Sequence, residues 1–268
     1  MGTPQQGCID IRMSRPSSRA VPESVARDST VSLKYHHGHS LATTRFALLA
    51  DVHGNLPALE AVLRDVDEVG TDTMWVAGDH VGYNPWPNEV LQILKERKVR
   101  GIRGNHDRAA LSGDTSWFND VAAAAIRWTR VVLTPASVGY LKSLEDRTRS
   151  SSPHGVVAMY HGSPRNDDEY VLPWAADEPL VRQANAAYVI LGHTHVPMAF
   201  TTRYGVVVNP GSVGQPRDRD PRAAWAVLDT ARGTVLQRRV SYDIGAVVRE
   251  IHKVGLPAEL GERLEWGV

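Results

Sequence analysis

Five short polar stretches of the chain carry side chains of the types that bind divalent metal ions. Each stretch follows an apolar run. The stretches are Asp51-Val52-His53-Gly54-Asn55, Gly78-Asp79, Gly104-Asn105-His106-Asp107, His161-Gly162 and Gly192-His193-Thr194-His195. Imidazole, carboxylate and carboxamide groups are the ligands that borderline divalent cations need. Because Cys8 is the only cysteine, a thiolate cluster is excluded, and a metal would be held by His, Asp, Glu and Asn side chains.

The apolar runs that precede these stretches have the length of buried strands. The run 46–50 ends at Asp51, and the run 74–77 ends at Gly78. Three more runs precede the remaining stretches, at 99–103, 156–160 and 187–191. In an α/β fold, the ends of neighbouring strands gather residues that are distant in sequence into one crevice. We therefore expect the five stretches to meet at one edge of the strands.

Two of the stretches contain candidate ligands separated by a single residue. In an extended segment, side chains at positions i and i+2 point to the same side. Asp51 with His53, and His193 with His195, could then each reach one ion. Glycine accompanies the ligands in all five stretches, and it lets the backbone turn sharply beside a bound ion or phosphate.

The remaining elements alternate between helix and strand at first and are mainly strands later. We predict helices after Asn55, around 90–94, at 122–132 and 138–144, and a terminal helix with a frayed end over 244–268. We predict further strands at 206–208, 223–228 and 234–240, the last two as a hairpin, and a polar loop at 147–155. This order indicates an α/β arrangement with one mixed sheet or two facing sheets.

Composition places the chain among ordinary soluble proteins. It has 268 residues, of which 42% are hydrophobic, and 30 basic residues balance 30 acidic ones. The zero net charge gives no strong signal for nucleic acid, and no apolar stretch is long enough for a membrane span. We expect residues 1–44 to be a disordered tail, residues 45–268 to form one domain, and the protein to be cytoplasmic.

The five stretches resemble the metal-binding motifs of the calcineurin-like metallophosphoesterases, which read D-x-H, G-D, G-N-H-D/E, H and G-H-x-H in this order. The resemblance covers residues 45–242. Within that superfamily, segments 78–85, 161–164 and 209–217 are similar to the small prokaryotic phosphodiesterase branch. The protein Ser/Thr phosphatases are less similar, because they carry Glu where this chain has Asp107. The resemblance implies a β-sandwich of two facing mixed sheets flanked by helices.

The resemblance also implies a role for each residue of the motifs. One ion would be held by Asp51, His53 and His195, and the other by Asn105, His161 and His193. Asp79 would bridge the two ions, since a carboxylate between two cations offsets their repulsion. His106 would stabilise or protonate the leaving oxygen, and Asp107 could orient the His106 imidazole. His80 would point away from the ions, towards packing or solvent.

Four further residues are candidates for substrate binding. Arg165 and Arg217 follow two of the motif segments and could each pair with a substrate phosphate, although surface charge is the alternative for both. Tyr83 and Asn84 could line the mouth of the site.

These features predict a dinuclear metal-dependent phosphodiesterase with a metal-bridging hydroxide as nucleophile and a phosphate ester as substrate. The alternatives are a phosphomonoesterase or dinucleoside polyphosphate hydrolase on the same site, and a non-catalytic metal-binding interaction module. We expect two divalent ions, Mn²⁺ first, with Fe, Ni or Zn as alternatives. We expect no membrane partner, and a homo-oligomer is possible.

Overall fold

Two β-sheets lie face to face at the centre of the protein in a computed structural model, which describes residues 8–9 and 44–268. The strands are β1 (Cys8–Ile9), β2 (Arg45–Leu49), β3 (Thr73–Val76), β4 (Arg100–Gly101), β5 (Arg147–Ser152), β6 (Gly155–Tyr160), β7 (Tyr188–Ile190), β8 (Met198–Thr201), β9 (Val206–Asn209), β10 (Ala223–Asp229) and β11 (Thr234–Val240). The helices are α1 (Leu56–Val69), α2 (Pro87–Glu96), α3 (Asn105–Ser112), α4 (Asp120–Val132), α5 (Pro135–Ser143), α6 (Glu178–Ala184), α7 (Ile244–Lys253) and α8 (Glu259–Trp266). None of these helices is long and apolar enough to cross a membrane.

Both sheets are mixed. The first has the strand order β1-β11-β10-β2-β3-β4, in which β2, β3 and β4 are parallel and β10 and β11 run antiparallel to their neighbours. The second has the order β5-β6-β7-β9-β8, in which β6, β7 and β9 are parallel and the two edge strands are antiparallel. The expected α/β fold with two facing mixed sheets is therefore confirmed.

Alternation along the strands explains why the sheets pair and why helices cover them. Phe46 and Leu48 of β2 point between the sheets, where they pack with residues of the second sheet such as Val157 and Ile190. Ala47 and Leu49 point the other way, into a cluster with α1 and α2. The outer face of the second sheet packs on α6. Because successive strand side chains point to opposite faces, each apolar strand supplies two layers of core.

Two elements differ from the sequence-based expectation. Residues 147–152, predicted as part of a polar loop, form the edge strand β5, whose side chains alternate between exposed and half-buried. Polar residues are tolerated there because one side of an edge strand faces solvent. The single terminal helix expected over 244–268 is two helices, α7 and α8, separated by a turn at Gly255 and Pro257. Gly255 has φ +76°, which ends α7, and proline cannot continue a helix.

One prediction falls largely outside the residues that the structure describes, and three elements of the structure were not predicted. The tail predicted at 1–44 lies outside the described residues except for β1 and Thr44. Helix α3, helix α6 and strand β8 were not predicted, because each is short and lacks a clear apolar period.

Candidate metal centre

The carboxyl ends of the parallel strands of both sheets open onto one buried site. Asp51 follows β2 and Asp79 follows β3, and the Asp51 amide donates a hydrogen bond of 3.0 Å to the Gly78 carbonyl. From the second sheet, His161 follows β6 and His193 follows β7. The two halves are joined where the His193 amide donates to the Asp51 carboxylate at 3.1 Å. The fold thus brings together residues that are more than 140 positions apart.

The seven candidate ligands form two adjoining groups. Side-chain ligand atoms lie within 4.8 Å of one another in Asp51, His53 and His195, and likewise in Asp79, His161 and His193. Asp79 Oδ2 lies 3.6 Å from His53 Nε2 and 3.4 Å from His161 Nε2, so this carboxylate stands between the groups. The side-chain oxygen Oδ1 of Asn105 lies 2.9 Å from His161 Nε2. All seven are buried except Asn105, which is half-buried.

Backbone contacts direct an imidazole lone pair from three histidines into the site. The Nδ1 atoms lie at hydrogen-bond distance from backbone carbonyls, namely His53 from Val81 at 3.1 Å, His161 from Ala77 at 2.7 Å and His195 from Gln215 at 2.6 Å. A carbonyl can only accept, so each Nδ1 carries a proton and each ring turns its Nε2 atom toward the site. In the neutral rings of His53 and His195, whose pKa values burial lowers, this Nε2 is an acceptor.

Two of these inward-facing nitrogens meet without a donor between them, and the third faces only oxygens. His53 Nε2 and His195 Nε2 are 3.1 Å apart, and His161 Nε2 faces the oxygens of Asn105 and Asp79. Lone pairs in contact repel, and a cation among them turns this repulsion into coordination. The donor set therefore fits divalent metal ions, with three of the histidines already oriented as metal ligands are in proteins.

The electrostatics of the site favour positive charge. Burial alone would lower the pKa of His161, but the neighbouring Asp79 and Asp51 outweigh burial and raise this pKa to about 9. Burial raises the pKa of Asp51 to about 8, whereas the pKa of Asp79 is held well below its usual range because His161, His106 and His53 outweigh its burial. Positive charge is thus favoured at His161, whereas burial lowers the pKa of His53 and His195 and keeps these two rings neutral, as metal ligands must be.

The backbone at the candidate ligands is strained. Asp51, His53, Asp79, His193 and His195 all have φ between 50° and 69°, the left-handed region that non-glycine residues seldom occupy. These are five of the eight non-glycine residues with positive φ in the described part of the chain. Such strain is concentrated at functional sites, where the surrounding structure enforces it. The extended i, i+2 geometry expected for these pairs is wrong, because tight left-handed turns and not strand alternation bring the ligands together.

His106 lies beside the candidate metal ligands and lines a pocket. Its ring is 4.6 Å from the His53 ring and 4.9 Å from the Phe118 ring, measured between centroids. Its Nδ1 is buried and has no hydrogen-bond partner within the described residues. Burial lowers the pKa of His106 to about 4, so the imidazole is neutral at pH 7 and can donate one N–H.

Asp107 does not orient His106, contrary to expectation. Its carboxylate accepts from the backbone amides of His80 and Gly104, at 2.9 and 3.0 Å, and from His80 Nδ1 at 2.8 Å. The reason is that α3 begins at Asn105, so Asp107 turns back over the first turn of the helix as a cap. His80 is fully buried against it, which agrees with the packing alternative.

The four candidate substrate-binding residues separate into two pairs. Tyr83 and Arg217 line the pocket beside His106, and Arg217 donates to the Tyr83 hydroxyl at 3.1 Å. Asn84 is fully buried, and its amide donates to the His53 carbonyl at 3.1 Å, so it supports the ligand loop. The structure does not bring Arg165 to the pocket, because its guanidinium is paired with Glu169 and Asp177.

The pocket also contains residues that the sequence did not single out. It has a volume of about 560 Å³ and joins loops from both halves of the fold. Its further walls are Arg108, Trp117, Phe118, Tyr170 and Arg263. No local motif marks these residues, since they come from α3, the α3–α4 loop, the segment after β6, and α8. Trp117 and Tyr170 are unusual in being aromatic side chains that are 94% and 55% accessible.

Comparison with known proteins identifies the family of the chain. The family model of the calcineurin-like phosphoesterase superfamily domain matches residues 45–233. An uncharacterised protein of Methanocaldococcus jannaschii is 30% identical over 245 residues, which cover 85% of this chain and 100% of that protein. The phosphodiesterase YfcE of Escherichia coli K12 is 25% identical over 190 residues, or 67% of this chain and 84% of that protein.

A solved structure extends the comparison to the fold. The crystal structure of a metallophosphoesterase from Sphaerobacter thermophilus superposes with a TM-score of 0.73 at 33% sequence identity. The match covers 84% of this chain and 100% of that one.

Proposed function

The chain belongs to the calcineurin-like phosphoesterase superfamily and is a metal-dependent phosphoester hydrolase, and we propose that it is a phosphodiesterase that binds two divalent ions. The observation that carries the two-ion assignment is the position of Asp79, whose carboxylate stands between the His53 and His161 Nε2 atoms at 3.6 and 3.4 Å. Asp51, His53 and His195 would hold one ion, and Asn105, His161 and His193 the other. When bound, the ions would supply an activated water molecule and neutralise phosphoryl charge.

The residues of this chain then divide the remaining tasks. Neutral His106 would donate its N–H to the departing alcohol oxygen, which stabilises the charge that develops there. Arg217, at the pocket wall, would bind a phosphate group of the substrate through its guanidinium. The pocket of about 560 Å³ leaves room for the two alcohol groups of a diester, and the likeness to a named phosphodiesterase supports the same choice. We place Mn²⁺ first among the metals, and the reaction in the cytoplasm.

Hydrolysis of two p-nitrophenyl esters tests the proposal. With Mn²⁺, the purified full chain should cleave bis-p-nitrophenyl phosphate with a higher kcat/KM than p-nitrophenyl phosphate. Asp79→Asn should lower kcat/KM by about 10²-fold or more, since it removes the charge between the two groups. Asp67→Asn changes an exposed acid on α1, 54% accessible, and serves as the matched control.

Each part of the proposal has its own contrary result. Preference for the monoester would overturn the diester assignment. Full activity of Asp79→Asn would overturn the bridging role of Asp79, and metal-loaded protein inert toward both esters would refute the proposed reaction.

A further inference from the structure

Two arginines share one wall of the pocket. The guanidinium of Arg217 lies 5.8 Å from the centroid of the Tyr83 ring, and that of Arg263 lies 6.0 Å from the same centroid. Arg217 comes from the loop after β9, whereas Arg263 comes from α8. The fold therefore holds two positive charges near a single aromatic ring, beside the candidate metal centre.

Neither guanidinium is held in a direct ion pair with an acidic side chain of the described residues. Within the described part of the chain, neither residue forms an ion pair with an Asp or Glu side chain, although Arg108, Arg165 and Arg238 each do. Arg217 donates to two neutral oxygens, Tyr83 Oη at 3.1 Å and Gln215 Oε1 at 3.2 Å. Arg263 Nε donates to the backbone oxygen of Val268 at 3.0 Å.

Holding these charges together is unfavourable in the absence of an anion. The Arg217 Nε is buried and has no partner among the described residues. Burial and the charge of Arg217 lower the pKa of Arg263 below its ordinary value. Two like charges in a partly buried wall repel each other, and an anion placed between them removes the repulsion.

The wall is close enough to the metal centre to bind the same substrate. The Arg217 amide donates to the carbonyl of His195, a candidate ligand, at 3.3 Å. Both guanidinium groups lie near the Tyr83 ring. The centroid of this ring is 4.5 Å from that of the His106 ring and 4.5 Å from that of the His53 ring. An anion at the wall would thus adjoin the phosphate whose ester bond is cleaved.

We propose that Arg217 and Arg263 bind a second phosphate of the substrate, next to the phosphate held at the metal centre. The inference rests on the proposed function, which places the first phosphate among the candidate ligands. It narrows the substrate to esters that carry two neighbouring phosphoryl groups, such as a nucleotide diphosphate linkage. Arg263 lies beyond residues 45–233, the part matched by the superfamily model, so this selectivity is added by the C-terminal helices.

The aromatic side chains of the pocket suggest what else such a substrate carries. Trp117, Phe118 and Tyr170 line the pocket, and Trp117 is almost fully exposed. Planar bases stack on such rings. An adenosine nucleotide is therefore a suitable probe, because its base and sugar can be kept constant while the number of phosphates changes.

Calorimetric titration of the Mn²⁺-loaded full chain with AMP and with α,β-methylene-ADP tests the inference without requiring turnover. The two nucleotides differ by one phosphoryl group, and the methylene bridge resists hydrolysis. We expect the wild-type protein to bind α,β-methylene-ADP about tenfold or more tightly than AMP, as charge-assisted hydrogen bonds to one more phosphate would give. Arg263→Gln should reduce this ratio of Kd values to within about twofold of one, and Arg263→Lys should retain part of it.

The controls distinguish a specific phosphate subsite from a general effect of positive charge and from loss of folding. Arg249→Gln removes an arginine on α7 that is 74% exposed and outside the pocket, and its Kd ratio should equal that of the wild type. Thermal melts establish whether each variant is folded. If Arg263→Gln does not fold, the ratio of Kd values in Arg263→Lys decides the test. An unchanged ratio in Arg263→Gln, or no preference in the wild type, overturns the second-phosphate site. Because binding is measured, that result is distinguishable from a failure to hydrolyse bis-p-nitrophenyl phosphate.

Discussion

At the scale of single residues, the site depends on groups that occupy unfavourable positions. Asp51, Asp79 and His195 lie in the left-handed region, and acceptor nitrogens of His53 and His195 face each other at 3.1 Å. Both features cost free energy in the folded chain. A cation recovers part of that cost, which is why the arrangement indicates binding and not merely packing.

Gly104 shows how closely the backbone approaches these groups. A Cβ atom at this position would lie 2.0 Å from Asp79 Oδ1 and 2.5 Å from the Asp79 amide nitrogen. Gly104→Ala must therefore displace the carboxylate that stands between the two ligand groups. We expect kcat/KM for bis-p-nitrophenyl phosphate to fall about 10²-fold or more, because displacements near 1 Å at a catalytic site can cost that much.

Gly139 provides the matched control for this substitution. It lies in α5, and a Cβ atom there would meet nothing within 4 Å. Gly139→Ala should leave the kinetics unchanged and stabilise the protein by roughly 0.5 to 1 kcal/mol through helix propensity. Equal activity of the two alanine variants would show that the contact between Gly104 and Asp79 does not position the carboxylate.

At the scale of elements, helix α1 is fixed to the first sheet by a half-buried polar contact as well as by its apolar face. Asp65 of α1 accepts from Arg238 of β11 at 2.7 and 2.8 Å, and from the Trp225 indole of β10 at 2.8 Å. The Asp65 side chain is only 16% exposed. This contact links the helix to two strands of the first sheet.

Replacing Asp65 should destabilise the protein in a pH-dependent manner. Burial would raise the pKa of Asp65, but the hydrogen bonds from Arg238 and Trp225 outweigh it and lower the pKa below 3.8. A lowered folded-state pKa stabilises above the unfolded value and loses that effect as the pH falls through the folded value. We expect Asp65→Asn to lower the free energy of unfolding by about 2 kcal/mol at pH 7, with a difference that shrinks below pH 3.8.

Urea unfolding of Asp65→Asn beside Asp67→Asn measures this effect. Asp67 pairs with Arg97 on the surface, where both side chains are at least 42% exposed, so its loss should cost less than about 1 kcal/mol. Similar losses for the two variants at pH 7, or a constant difference between pH 7 and pH 3, would contradict the assignment.

At the scale of the whole molecule, the candidate metal ligands come from both sheets. Asp51, His53 and Asp79 follow strands of the first sheet, and His161 and His193 follow strands of the second. Ions bound by both groups would hold the two halves together. Metal binding and global stability should therefore be coupled.

Thermal unfolding with and without metal measures this coupling. Mn²⁺ at a free concentration of 100 times its Kd should stabilise the folded protein by about 2.7 kcal/mol. For a chain of this size, that corresponds to a rise in Tm of about 5 to 10 °C over EDTA-treated protein. Asp79→Asn should show a much smaller rise, whereas Asp67→Asn should show the full one. A Tm that does not respond to metal would rule out substantial binding at the centre.

The sequence by itself determined which residues are candidate metal ligands and which strands lead to them. Asp51, Asp79 and His161 each follow an apolar run, and apolar runs and ligand types are local properties. Because these signals are local, predictions that depended on the surrounding structure were wrong. The edge strand β5 has a polar sequence, and the capping role of Asp107 depends on a helix start that nothing at Asn105 marks.

Only the tertiary structure decided how the ligands are held and what surrounds them. The left-handed turns at His53 and His195, the carbonyls that orient three imidazoles, and the separation of Arg165 from the pocket all depend on contacts between distant segments. Arg217, in the loop after β9, and Arg263, in the last helix and 46 residues later, both approach the Tyr83 ring. Spacing along a chain gives no information about such pairs, because the distance between them is set by how the sheets and helices pack.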